Sequence, residues 1–404
     1  MSVAAALRDA GWLTGARARQ WVRPFTLALF GYVGVAAVLI TMASVGRKPP
    51  AFDFDAFWAA GRFVLAGHPA AAYDNAAIEI AERAATIMPP GYLAFYYPPP
   101  FLLLCAPLGL FGFATALLLF VAGETALVLA CLRRIVPRDW GWLPLLAFPG
   151  FLMNALSGQN AALSAACFAG AAIWLEERPV LAGMCLGGLV CKPQLALCIP
   201  VWLLLARRFR CAFACGGTAA ASCVLSWLVL GTASWRGFFA HSAEVGGNIA
   251  HVAIIWPKLQ SVYGAVMLAG GGVRAAIFAQ GLACLVAVAW LAGVSLKRRG
   301  ALVEVAAAAT ASLFFTPYLL DYDLAILAVP LACLARLAQQ VGWRPYEKIV
   351  LLALFLLPLA ARASAMLAGI TLGPAALLVL MALIWRRAMQ PCPLAPVLVR
   401  CRAP

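Results

Sequence analysis

Residues 113–134 read FATALLLFVAGETALVLACLRR. From Phe113 to Leu132 one acid, Glu124, interrupts an otherwise apolar run, and Arg133 and Arg134 close it. About 20 apolar residues in helical form cross the hydrocarbon core of a bilayer. An arginine pair at the end of such a run marks the cytoplasmic side, where basic residues gather. The stretch reads as a transmembrane helix.

It has many companions. Other apolar runs fall near 24–45, 141–155, 160–175, 179–190, 193–206, 211–230, 274–296, 301–317, 322–339, 347–362 and 366–385. Several are too short for a full perpendicular crossing, so tilted, broken or re-entrant helices are expected. The composition agrees. Of 404 residues, 65% are hydrophobic and only 11% charged, whereas a soluble domain carries about 25% charged residues. So little charge cannot solvate a globular surface, which excludes a soluble enzyme, a disordered chain and a secreted disulfide scaffold. The expected fold is all-α: a polytopic transmembrane bundle of about 10–13 membrane helices, with outward-facing loop helices beside the membrane.

With the amino terminus inside and about twelve crossings, every basic cluster falls on the cytoplasmic side. These clusters are Arg133/Arg134/Arg138, Arg207/Arg208/Arg210, Lys297/Arg298/Arg299, Arg344/Lys348 and Arg386/Arg387. The net charge of +15 is thereby topological, and with no nucleic-acid motif present no nucleic-acid partner is expected. The segments read as a cytoplasmic interfacial helix (1–23), a membrane domain (24–390) and a cytoplasmic tail (391–404). Within the domain, a first outward loop covers 46–97 and a second covers 231–258. The 13 cysteines show no CxxC or Cys/His spacing and read as packing residues.

The outward acids carry what chemistry the sequence offers. Asp53 and Asp55 lie in AFDFDAFWAAGR among Phe52, Phe54, Phe57 and Trp58. Aromatic surroundings desolvate a carboxylate and raise its pKa toward general-base range. In extended backbone the two side chains would point the same way; the alternative is an N-cap for a helix beginning near Phe57. Asp321 and Asp323, in FFTPYLLDYDLAIL, could bind sugar hydroxyls or a cation, or start a helix. Tyr318 and Tyr322 beside them are interfacial aromatics unless they stack on a sugar. Gln159 and Asn160, in SGQNAAL, could bind hydroxyls or cap the next helix. Lys192, in VCKPQLAL, sits at a junction of short runs suited to facing a phosphate, or snorkels. Glu124 and Glu304 are acids in or beside spans, where such groups usually face a cavity. His68, His241 and His251 give no zinc spacing, so no metal or other cofactor is expected. A lipid-processing enzyme and a lipid-linked saccharide transporter or flippase both fit these features.

Five stretches then follow one another in a recognisable order: DFDAFWAAGRFVLAGHPAAAYD (53–74), YPPPFLLLCAPL (97–108), SGQNAAL (157–163), AGMCLGGLVCKPQLAL (182–197) and TPYLLDYDLAIL (316–327). Together they resemble glycosyltransferase family 87, membrane enzymes of GT-C architecture that use polyprenyl-phosphate sugars and include actinobacterial mannosyltransferases. The resemblance implies transfer of a hexose, with mannose favoured, from a polyprenyl-phosphate donor to a glycolipid or glycan acceptor. It places the reaction at the outer face of a bacterial cytoplasmic membrane, among membrane lipids. It also implies Asp53 as the general base of an inverting displacement. Substrate contacts are expected at Asp55, Arg62, Tyr97, Gln159, Asn160, Lys192, Tyr318, Asp321, Tyr322 and Asp323, and the charge of the leaving phosphate calls for a cation such as Lys192 or Arg62. The last stretch holds no histidine, so any imidazole role would fall to His241 or His251.

Overall fold

The run at 113–132 is a helix, Phe113–Ile135, that begins after Gly112 and ends on its arginine pair. In the computed structural model the described residues are 3–24, 26, 27, 31, 34, 48–87, 93–136, 142–251 and 253–389. Most of the expected first span (24–45) and the whole expected tail (391–404) lie outside them. Among the described residues five helices are long and apolar enough to cross a membrane: Phe113–Ile135, Phe209–Ser242, Val273–Ser295, Asp321–Val341 and Glu347–Ala368. Shorter apolar helices accompany them at Pro99–Leu110, Ala161–Trp174, Pro179–Cys191, Pro193–Leu205 and Ala301–Phe315. The fold is all-helical. Among the described residues the only β pairings are two isolated bridges, Pro50 with Ile87 and Leu259 with Leu320.

The short helices form the centre. At about 1.5 Å per residue, Ala161–Trp174 and Ala301–Phe315 are each about 21–23 Å long, less than the bilayer core. Both are buried along nearly their whole length, as expected of helices apolar on every side. Their many alanines let neighbouring backbones approach closely. Prolines set where these pieces start: Pro99, Pro149, Pro179 and Pro193 each stand in the first turn of a helical segment, where the missing N–H costs nothing. Gly183 and Gly187 seat Pro179–Gly187 against the next long helix within the same chain. A Cβ on Gly183 would stand 2.3 Å from the Cys211 carbonyl oxygen, and one on Gly187 2.8 Å from that of Cys215.

Residues 231–258, expected as an outward loop, are helical as far as His251. The helix that starts at Phe209 continues through a break at Gly231 (φ 76°, ψ 168°), a conformation that glycine reaches without steric cost. All eleven described cysteines are free.

The two ends of the central helices differ in their polar surroundings. Trp174, ending Ala161–Trp174, lies under the guanidinium groups of Arg134 and Arg178 at 5.3 and 5.2 Å. Two residues on, Glu176 accepts from Arg208 at 2.8 Å and from the Ala301 amide at 2.9 Å. Arg208 also pairs with buried Glu304 at 2.9 Å. Glu304 therefore belongs to an arginine cluster and not to a cavity. The other end of Ala161–Trp174 begins at Asn160, about 20 Å away, beside a different set of polar groups.

Candidate functional site

Those groups form one hydrogen-bonded chain drawn from all five of the stretches quoted above. Gln159 Nε2 donates to Asp53 Oδ2 at 3.2 Å. The Tyr97 hydroxyl donates to Gln159 Oε1 at 2.8 Å and lies 3.5 Å from Asn160 Oδ1. Lys192 Nζ donates to Asn160 Oδ1 at 3.2 Å and to Asp323 Oδ1 at 2.5 Å. The Tyr322 ring lies under the same ammonium, 5.2 Å away. Gln159, Asn160, Lys192, Tyr322 and Asp323 are buried, whereas Asp53 is half-buried.

Local structure explains how each side chain gets there. Helix Pro149–Ser157 stops at Gly158, whose left-handed backbone (φ 65°) turns the chain. A Cβ there would also meet Phe54 Cβ at 2.7 Å, so glycine is required twice over. The turn presents Gln159 and Asn160, while the Ser157 carbonyl accepts from the Asp53 amide at 3.1 Å. Asn160 does not cap the next helix. Asn154 does, its Oδ1 accepting from the Ala161 amide at 2.8 Å while its Nδ2 donates to Glu124 at 2.5 Å. Glu124 also accepts from the Leu163 amide at 3.3 Å, so the acid in the opening span braces this turn. Lys192 sits where two short 3₁₀ turns meet. Asp323 lies in the 3₁₀ turn Asp321–Leu327 and accepts the Leu320 amide at 3.2 Å through its second oxygen. Pro98 holds Tyr97 outside the helix that follows, and the Tyr97 ring packs on Phe57 and Phe101 at 5.1 and 4.6 Å.

Asp53 and Asp55 part company. Residues 53 and 54 form a turn and the helix begins at Asp55, so the two side chains do not share a direction as extended backbone would have them. Asp55 is the desolvated one. It is 1% exposed, accepts from Thr86 Oγ1 at 2.5 Å and reaches back to the Phe52 amide at 3.2 Å. Burial pushes its pKa up to about 7, against the pull of those two hydrogen bonds and with help from the Asp53 charge. Glu82 is buried beside it, and burial raises its pKa to about 8, the Leu93 amide pulling the other way. With both oxygens occupied, Asp55 ties its helix to Asn75–Ala85. Asp53 keeps Oδ1 without a partner among the described residues.

The other expected residues are scattered. Arg62 is exposed, donates to the Gly109 carbonyl at 3.4 Å and lies over Trp58 at 5.8 Å, apart from the chain of contacts. Tyr318 packs on Tyr263 with ring centroids 6.5 Å apart. Asp321 is fully buried and paired with Arg362. His241 is buried and stacked on Tyr96 at 5.0 Å, and His68 is exposed. The His251 side chain lies outside the described residues. Sequence reasoning passed over Arg362 and Asn154. Each is a lone polar residue inside an apolar run, and that alone was the available signal. Among the described residues no cluster of His, Cys, Asp and Glu could hold a metal ion.

Residues 95–320 match glycosyltransferase family 87. The matched span is more than half of the chain and includes Tyr97, Gln159, Asn160 and Lys192, while Asp53 and Asp323 fall on either side of it. No curated protein and no solved structure matches the chain.

Proposed function

Because the chain belongs to glycosyltransferase family 87, and is a multi-pass membrane protein, we propose that it transfers a hexose from a polyprenyl-phosphate donor to a glycolipid or glycan acceptor, with Asp53 as general base. The observation that carries this reading is the convergence of Asp53, Tyr97, Gln159, Asn160, Lys192 and Asp323 on one connected network. These residues come from five stretches up to 270 positions apart in the chain.

Asp53 has the geometry of a base. Its backbone is pinned by Ser157 and one oxygen by Gln159, which leaves Oδ1 to take a proton. The acceptor hydroxyl gives that proton to Asp53 as its oxygen bonds to the anomeric carbon. The bond from that carbon to the phosphate oxygen breaks, and its electron pair leaves with the prenyl phosphate. A single displacement of this kind inverts the anomeric centre. The leaving group is already an anion, so it needs charge stabilisation and not a general acid. Tyr97, Gln159 and Asn160 offer hydroxyl and amide groups to sugar oxygens.

The network sits at the end of the central helices opposite the arginine clusters. By the positive-inside tendency that end faces out of the cytoplasm, and the reading places the reaction at the outer face of a bacterial cytoplasmic membrane. The domain expectations fit the same orientation, with 46–97 bringing Asp53 to that face.

The test is purified, reconstituted protein with a radiolabelled polyprenyl-phosphate hexose and a membrane-lipid extract. Label should move to a new product with wild type and stay on the donor with Asp53→Asn, at equal insertion and folding. Full activity in Asp53→Asn would remove the base. Donor flipping without turnover in the same vesicles would favour a transporter.

A further inference from the structure

Lys192 is the cation that the sequence offers to a donor phosphate, and its donors are already engaged. An ammonium group has three N–H bonds. One meets Asp323, a second meets Asn160, and the Tyr322 ring covers the remaining side. Lys192 is 4% exposed. A phosphate could reach it only by displacing Asp323 and stranding a buried carboxylate, which is strongly unfavourable.

Arg362 differs on each count. It stands in the span Glu347–Ala368 and donates through Nε to Asp321. A guanidinium has five N–H donors in a planar fork. The four on Nη1 and Nη2 meet no acceptor among the described residues. The Arg362 side chain is 32% exposed, whereas that of its partner Asp321 is 0% exposed. The carboxylate thus holds the group from the protein side, and about a third of the arginine side chain stays exposed. Asp321 belongs to the same 3₁₀ turn as Asp323, and the Tyr322 hydroxyl between them lies within electrostatic reach of Asp53, Asp321 and Asp323. An arginine with an open face in a membrane helix is expensive unless an anion meets it, and its fork matches phosphate oxygens in pairs.

We propose that Arg362 binds the phosphate of the prenyl-phosphate donor, with Asp321 as the residue that positions it and Lys192 as an internal brace. This rests on the functional reading above. As the bond from the anomeric carbon to the phosphate oxygen breaks, the charge gained by the leaving prenyl phosphate falls on the Arg362 fork.

The experiment uses full-length protein in phosphatidylcholine nanodiscs and measures geranylgeranyl phosphate binding by calorimetry, beside hexose transfer. Arg362→Gln should weaken binding about ten- to a hundredfold, as expected for a lost charged hydrogen bond, and raise the donor KM. Arg362→Lys keeps a charge for Asp321 but lacks the fork, and should bind at an intermediate level with a normal thermal unfolding profile. Asp53→Asn should lose transfer and keep binding. Inorganic phosphate should compete weakly in wild type, and phosphatidylglycerol should not compete. Wild-type affinity in a folded Arg362→Gln or Arg362→Lys protein, with transfer intact in wild type, overturns the Arg362 assignment alone. Equal competition by phosphatidylglycerol overturns it as well, since the arginine would then be a general lipid contact. Absence of both binding and transfer in wild type overturns the functional reading itself.

Discussion

The pair Lys192–Asp323 invites a thermodynamic cycle. Its side chains are 4% and 2% exposed, so neither charge is appreciably solvated once the other is removed. Lys192→Met leaves the Asp323 carboxylate buried with the Leu320 amide as its one remaining described donor, and the loss should be about 3–5 kcal/mol, as for other broken buried pairs. Asp323→Asn alone strands the ammonium, which keeps only Asn160 and the Tyr322 ring. The double variant removes both charges, and the new amide can still accept from Leu320. It should recover most of the loss, so its cost should fall well short of the two single losses added together. Unfolding in detergent mixtures can be followed through the 13 tryptophans. A cost below about 1 kcal/mol for Lys192→Met would mean that the pair is hydrated, and a double variant as unstable as the two losses combined would mean that the pair does not couple. Either result removes the argument that Lys192 is unavailable to a phosphate.

Two further outcomes follow from the network's supports. Asp55 and Glu82 have folded pKa values raised to about 7 and about 8 from 3.8 and 4.5. The native state therefore holds these protons more tightly than the unfolded one, and the stabilisation is full below about pH 4 and is lost as pH rises through 7 to 8, by about 4 kcal/mol for the Asp55 shift. Amide exchange in 52–60 and 75–86, corrected for its intrinsic rate, should accelerate between about pH 4 and 8 and level off above, and Asp55→Asn should flatten that rise; a pH-independent wild type would refute it. Asn154→Ala removes the cap on Ala161 and a donor to Glu124, and should cost about 1–3 kcal/mol while lowering kcat more than it raises KM, because Gln159 then loses its fixed aim at Asp53. Unchanged kcat with lowered stability would make Asn154 a packing residue only.

The fold was legible because membrane helices announce themselves by length and apolarity, as at 113–132, and because proline marks the breaks. Helical continuity past Gly231 was not legible: Trp235, Arg236, His241 and Glu244 dilute the apolar run, and a pattern that polar reads as a loop. The site was legible as a set of stretches but not as a set of contacts. Two carboxylates in the four residues DFDA are alike in local environment, flanked by the same phenylalanines. What separates them is where the chain turns. Gly158 lies some hundred residues away, yet its close fit against Phe54 places Asp53 beside Gln159, and Thr86 claims Asp55. The aromatic surroundings that suggest a raised pKa act on Asp55, the carboxylate with no free oxygen. Desolvation and access to substrate oppose one another here: the same burial that makes a carboxylate basic removes it from the reacting atoms. A base that must receive a proton from an acceptor hydroxyl needs an open edge more than a high pKa, and of the two only Asp53 has one. Arg362 obeys the same logic. Its span reads as a uniform hydrophobic helix, and a single arginine there looks like a defect until Asp321, on another element, holds it through Nε. On the proposed reading, function falls to the half-exposed member of each of these two pairs, and only tertiary contacts reveal which member that is.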